Sequence, residues 1–220
     1  MNLNPADFAL FIVPFLMAVV FHEWAHGYVA KQLGDNTASL AGRLTLNPIA
    51  HIDPVGTVAL PAFLMMTGAP FLFGWAKPVP IAFHQLRNPR RDMVLVAMAG
   101  PGMNLLLAFV SAGLLSVLIP MVTGSPELTG FKVAEPLAEM CKKSVMLNVV
   151  LAVFNMLPIP PLDGGRVAVG MLPRELAYNF SRLEPYGFLI VMVLLATHVL
   201  DVVLAPLANG ILSFLQAVFF

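Results

Sequence analysis

The sequence predicts an all-α polytopic membrane protein: about five transmembrane helices, with a re-entrant hairpin and short strand segments between them. Three observations carry that expectation. Hydrophobic residues fill 59% of the 220 positions and charged ones only 11%, and the mean hydropathy is +0.84, well outside the range of soluble domains. The apolar residues come in runs close to the roughly 20 residues that a helix needs to cross a bilayer. Between the runs stand Pro, Gly and Arg, residues that end helices or sit at a membrane surface. No polar stretch is long enough for a second folded unit, so residues 1–220 are expected to form one domain.

Charge and cysteine usage exclude several classes. The 12 basic and 12 acidic residues cancel, which gives no sign of a nucleic-acid partner or of a polybasic lipid-binding tail. Cys141 is the single cysteine, so there is no intrachain disulfide, and it stands too far from any partner to suggest a thiolate metal site. The amino-terminal MNLNPADF carries no Lys or Arg before its apolar run and reads as retained, not as a signal peptide.

In chain order, Ala9 to Gln32 forms the first span and stops at Leu33-Gly34-Asp35. The following connection, DNTASLAGRLTLNPIAHIDP, contains Gly42, Pro48 and Pro54, which argue against a helix, while GRLTLNP alternates enough for a short strand. Val55 to Phe73 is apolar but interrupted by Pro61, Gly68 and Pro70. A second irregular connection, GWAKPVPIAFHQLRNPRRD, carries Lys77, Arg87, Arg90 and Arg91. Met93 to Val122 is a long span containing AGPGMN. A further span starts near Pro136, is apolar from Ser144 to Leu157, and breaks in NMLPIPPLDGG. Arg166 to Leu183 is mixed and interfacial in character, Tyr186 to Leu204 spans again, and the stretch after Pro206 is too short to cross alone. No internal repeat is visible.

The chemistry sits in two places. In FHEWAHGYVA, His22 and His26 lie one helical turn apart on a single face, so both can ligate one metal ion, with Glu23 projecting beside them. A catalytic zinc usually takes three protein ligands, so a third must come from elsewhere. Asp163 is the strongest candidate: Pro158, Pro160 and Pro161 unwind the chain before it, and Gly164 and Gly165 permit turns after it. Irregular backbone at membrane depth is tolerated where it lines a polar cavity. Asn155 opens that broken segment, and its amide could hold a substrate carbonyl or oxyanion. Asn104, in AGPGMN, is a candidate for orienting the site or contacting substrate, or for a hydrogen bond between helices. His51 is tempting as a fourth ligand but reads better as a loop histidine bonded to nearby backbone; His84, His198 and Asp201 read as interfacial.

HEWAH and NMLPIPPLDGG, each in an apolar segment and separated by a span with AGPGMN, resemble the site-2 protease family of intramembrane zinc metallopeptidases. The resemblance runs from about residue 9 to 180. It implies one Zn2+ per chain held by His22, His26 and Asp163, with Glu23 as general base of peptide-bond hydrolysis and Asn155 contacting substrate or transition state. It implies a bilayer-embedded enzyme of a bacterial or archaeal cell membrane acting on transmembrane protein substrates. Many relatives carry an appended PDZ or CBS domain; this sequence reads as the short form without one. A helical substrate must unwind to be cut, and GRLTLNP or KPVPIAF could pair with it as an added strand. Two other classes compete: a catalytically silent protein that binds membrane helices, and a metal or ion transporter.

Topology follows from bringing Asp163 to the histidines. Both motifs lie toward the carboxyl ends of their spans, so those spans must run in the same direction, with one crossing between them. Residues 55–73 then form a hairpin that does not cross. That arrangement puts Lys31, Arg43, Lys77, Arg87, Arg90, Arg91, Arg166, Arg174 and Arg182 on one side against Lys132, Lys142 and Lys143. A full crossing would give seven against five. Nine against three obeys the positive-inside rule and sets the catalytic motifs nearer the cytoplasm.

Overall fold

The structure is a computed structural model that describes residues 5–67, 74–123 and 129–220, with the backbone alone at 5–9, 58, 61, 62, 65 and 129–132. Among the described residues every regular element is a helix, and no strand is present. The order is α1 (Pro5–Gln32), α2 (Thr37–Leu40), α3 (Leu60–Met66), α4 (Pro89–Thr123), α5 (Thr129–Asn155), α6 (Asp163–Met171), α7 (Arg174–Ser181), α8 (Glu184–Ala196) and α9 (Val199–Phe219).

Helices α1, α4 and α5 pack against one another, and α9 lies against α4 and α5. The contact surfaces are built from small side chains. Ala18, Ala25, Ala30, Ala97, Ala108, Ala112 and Ala152 are all buried, whereas Leu105, Leu106, Phe109 and Val110 of the same α4 are exposed. Lipid is as apolar as leucine, so burying large aliphatics gains little in a bilayer; close backbone approach is what holds helices together. One cluster joins α4, α5 and α9 through Ala108, Ala112, Val149, Val153, Ala208 and Leu215. Another fixes the end of α1 to α4 through Ala30, Leu86 and Val96.

Among the described residues, three helices are long and apolar enough to cross a membrane: Leu10–Gln32, Pro89–Thr123 and Val199–Phe219. Helices α7 and α8, bent by 66°, would make a fourth if they form one span. Length and apolarity therefore do not reach the expected five. Helix α5 has 27 residues, but Glu135, Glu139, Lys142 and Lys143 fall between its seventh and fifteenth positions. The expected span from Tyr186 to Leu204 is divided. The Thr197 hydroxyl bonds back to the Val193 carbonyl at 2.8 Å, and His198 turns left-handed at φ 57, starting a new helix. Pro206 lies inside α9 without ending it, so the carboxyl-terminal stretch belongs to a 21-residue helix.

The connections also differ from the strand expectation. Pro48 and Pro54 each open a short helical turn: Asn47 accepts from the Ile49 amide, and Asp53 from the amides of Val55 and Gly56. Proline suits the first helical position, where no donor is needed. GRLTLNP pairs with no other segment as a strand. Residues 75–79 instead run as a strap whose alternate amides find three separate acceptors: Trp75 N–H to Gly56 O, Lys77 N–H to His51 O, and Val79 N–H to the Glu23 carboxylate. Arg43 Nη2 donates to the carbonyls of Lys77 at 2.9 Å and Pro78 at 3.2 Å. Pro78 and Pro80 have no N–H, so an added substrate strand would meet no donor at those positions. The apolar segment before the strap begins with a π-helical stretch, Pro54–Ala59, that continues into α3; the expected hairpin's turn, with Gly68 and Pro70, lies outside the described residues.

Asp35, after the end of α1, ties the connections together. Burial works against its charge, but hydrogen bonds from the Thr37 hydroxyl and amide and from the Ala82 amide prevail and hold its carboxyl below the usual range.

Candidate metal centre and active site

Helix α1 carries His22, Glu23 and His26 toward its carboxyl end, and α4 forms the wall behind them. Gly100 makes that wall possible: a Cβ there would lie 2.6 Å from His22 Cε1 and closer still to His26 Nε2. Only a residue without a side chain lets α4 pass so near the imidazoles. On the third side, α5 ends at Asn155 and the proline-rich segment delivers Asp163 as the first residue of α6. Gly164 and Gly165 let that first turn press onto the chain's own backbone; added Cβ atoms would fall on the carbonyls of Met156 and Leu157 and on Ile159 and Pro160.

These three elements bring together His22 Nε2, His26 Nε2 and Asp163 Oδ2. The carboxylate oxygen is 3.2 Å from each imidazole nitrogen, and the two nitrogens are 3.0 Å apart. All three residues are buried. The far side of each ring decides what the near side can be. His26 Nδ1 lies 2.7 Å from the Val96 carbonyl, which only accepts, so Nδ1 holds a proton and, in the neutral ring that ligates metal, Nε2 is a bare lone pair. His22 Nδ1 lies 2.6 Å from Asn104 Oδ1. The Asn104 amide is oriented by donating to the Ala18 carbonyl at 3.1 Å and to Asn148 Oδ1 at 2.8 Å, so its oxygen faces His22 and that Nδ1 is again the donor.

With both rings neutral, two lone pairs and a carboxylate oxygen converge on one point with no donor between them, and Asp163 Oδ2 is a buried oxygen without a hydrogen-bond partner. Three acceptors crowded together in a low-dielectric site repel one another unless a cation lies among them. Nitrogen and oxygen donors with oriented outer partners are the ligand chemistry of zinc, so the residues fit the ion. Arg166 stands beside the other carboxylate oxygen at 3.9 Å, its guanidinium over the Phe83 ring at 5.5 Å.

Glu23, half-buried beside the trio, accepts from the Val79 amide at 2.8 Å. Asn104 is fully buried with every polar group used inside the protein, which leaves nothing for the expected substrate contact and makes it a support for His22. Asn155 is half-buried at the end of α5, donating to the Leu151 carbonyl one turn back at 3.0 Å; it bonds to none of the trio. His51 is buried away from the trio's ligand set, donating from Nε2 to the Thr45 carbonyl at 2.9 Å. His84 and His198 are exposed, and His198 pairs with Asp201 at 2.9 Å. Sequence reasoning missed Asn148, although a lone amide in the apolar run VMLNVVLAVF was a signal. Nothing in the sequence pointed to the backbone groups of Val79 and Val96.

Comparison with known proteins agrees with this chemistry. The family model described as "Peptidase family M50" matches residues 10–145 and 116–197. The Bacillus subtilis protein named "Putative zinc metalloprotease YwhC" is 37% identical over 212 residues, covering 94% of this chain and 91% of its own length. Rip2 of Mycolicibacterium smegmatis, given the same description, is 31% identical over 198 residues, or 88% of this chain and 69% of its own. Rip2 of Mycobacterium tuberculosis is 27% identical over 207 residues, or 92% and 70%. No solved structure matches. With a family match across most of the chain and a set of buried groups suited to zinc, the chain belongs to peptidase family M50, the site-2 protease family of zinc metallopeptidases.

Proposed function

We propose that this protein is an intramembrane zinc metalloprotease that hydrolyses peptide bonds in or near the transmembrane segments of membrane protein substrates, with residues 1–220 acting as one domain. His22, His26 and Asp163 hold the metal, and Glu23 is the general base. The observation that carries this reading is the convergence of two imidazole Nε2 atoms and a carboxylate oxygen with no hydrogen-bond partner on one point. Zinc, when bound there, supplies Lewis acidity toward the scissile carbonyl and lowers the pKa of water to about 7. Glu23 takes the proton from the attacking water and returns it to the leaving amine, and the Val79 amide keeps its carboxylate aimed while it does so. Asn155, at the mouth of the broken segment, offers the N–H that Leu151 does not use to the substrate carbonyl.

The membrane arrangement belongs to the same reading. Between α1 and α5, α4 alone is a long apolar helix among the described residues, which supports one crossing there and a non-crossing segment at 55–73; α5 is taken to cross on its 27-residue length. The amino terminus then lies outside and the metal site nearer the cytoplasm. Asn88→Cys in a Cys141→Ser background should label from the cytoplasmic side; labelling from outside alone reverses the topology.

Glu23→Gln tests the chemistry. It should fold and retain zinc while losing cleavage of a transmembrane substrate. Retained cleavage would remove Glu23 from the reaction, and a silent binding protein or a transporter would show no cleavage to lose.

A further inference from the structure

We propose that Asn148 is a positioning residue for the metal: by holding the Asn104 amide in one orientation, it fixes which nitrogen of His22 carries the proton. This rests on the reading of His22 as a zinc ligand.

A chain of hydrogen bonds, each running one way, links the two residues. Asn148 lies on α5 and is 1% exposed, a place where an amide persists only if its groups are satisfied. Its Nδ2 donates to the Ser144 carbonyl at 2.9 Å and lies 3.2 Å from the Ser144 hydroxyl, which can accept as well as donate. A backbone carbonyl accepts and cannot donate, so Asn148 has to turn its oxygen the other way, toward α4. There Oδ1 accepts from Asn104 Nδ2 at 2.8 Å. Asn104 Nδ2 now faces two acceptors, Asn148 Oδ1 and the Ala18 carbonyl. Reversing the Asn104 amide would set its oxygen against both. Its oxygen therefore faces His22 Nδ1, which must hold the proton and leave Nε2 free to ligate. The constraints start at a carbonyl on α5, pass through α4 and end at the metal-facing nitrogen on α1. Ser144 is fastened in turn, its hydroxyl 2.8 Å from that of Ser111 on α4.

With Asn148 removed, the Ala18 carbonyl alone opposes reversal of Asn104. A reversed amide presents N–H to His22 Nδ1, favours the proton on Nε2, and blocks the ligand lone pair. A purely structural asparagine would affect helix packing and metal binding alike; a positioning one affects metal binding selectively.

The test uses the full-length protein in detergent with zinc as the probe, competing against a chromophoric chelator. It also records the visible spectrum of the Co2+-substituted protein and the melting temperature of the metal-free protein. Asn148→Leu should weaken zinc binding by about tenfold or more, within the range for outer-shell partners, and should alter the cobalt bands. Asn148→Asp is the conservative arm. A buried acid in this setting is neutral, so its hydroxyl donates to Ser144 and its carbonyl accepts from Asn104, and zinc affinity and spectrum should return close to wild type. If Asn148→Leu does not fold, Asn148→Ser, which cannot reach Asn104, takes its place. Unchanged zinc binding in the Leu or Ser variant overturns the proposal. So does a loss shared by the Leu and Asp variants in step with the melting temperature of the metal-free protein. A wild-type protein whose zinc uptake does not depend on His22 and Asp163 overturns the parent reading as well; when the wild type passes that control, a negative result bears on Asn148 alone.

Discussion

Gly100→Ala separates the folding of this protein from its metal chemistry. The added Cβ would lie 2.6 Å from His22 Cε1 and 2.7 Å from His22 Nε2, where real Cβ atoms essentially never come under 3.0 Å. The contact with His26 Nε2 is tighter still. Relieving the His22 contact alone, from 2.6 to 3.0 Å, takes at least 0.4 Å of ring movement. Metal–ligand distances tolerate about 0.2 Å, and both imidazoles must move away from the same wall. Zinc affinity should fall by at least about a hundredfold, the upper end of what disturbed supporting residues cost. The helix itself gains about 1 kcal/mol from replacing glycine by alanine, set against roughly 1–3 kcal/mol of overpacking, so the fold should survive. Chelator competition, helicity by circular dichroism and cleavage of a transmembrane substrate measure the three quantities separately. Full zinc content with wild-type turnover would show that α4 does not press on the ligands and would refute the role given to Gly100.

Two further outcomes follow from the strap and the turn. Val79→Pro removes one backbone donor while Val79→Ala keeps it. A hydrogen bond to a charged group is worth about 1.5–3 kcal/mol, so the proline variant should lose roughly ten- to hundredfold in kcat with little change in KM or zinc content, and the alanine variant should stay near wild type; equal losses in both would assign the effect instead to the Val79 side chain, whose Cγ1 packs over Gly27 of α1. Asp35 has a folded pKa below its unfolded one, so its stabilisation is present above about pH 4 and is lost as pH falls through the folded value. The deficit of Asp35→Asn against wild type should be constant at neutral pH and shrink in acid, as read by thermal melting across a pH series; a deficit that grows in acid would contradict the sign.

The trio was legible because its signals are local. Two histidines at helical spacing declare a shared face, and prolines followed by paired glycines declare a break that can aim an aspartate inward. The parts that escaped are those in which the acting group carries no side-chain signature. The Val96 carbonyl and the Val79 amide could belong to almost any residue, and only the packing of α4 and the strap on α1 makes them partners of His26 and Glu23. GRLTLNP alternates as a strand should, yet a ladder needs a partner with donors, and the neighbouring strap spends the amides of Trp75, Lys77 and Val79 on three separate acceptors and has no N–H at Pro78 or Pro80. The last span was misdivided for a similar reason. Pro206 looks like a breaker, but a helix with lipid around it and its other hydrogen bonds intact carries one proline, whereas Thr197 and His198 end α8 through local bonds that composition does not reveal.

The proton-fixing partners of both histidines come from α4, and the carboxylate comes from α6, so the ion would act as a rivet through separate rods. Its retention then gauges how well those rods stay in register. Preparations made in harsh, short-chain detergents should shed metal before they lose helicity, and a low metal count in such a sample would report the solvent and not the enzyme.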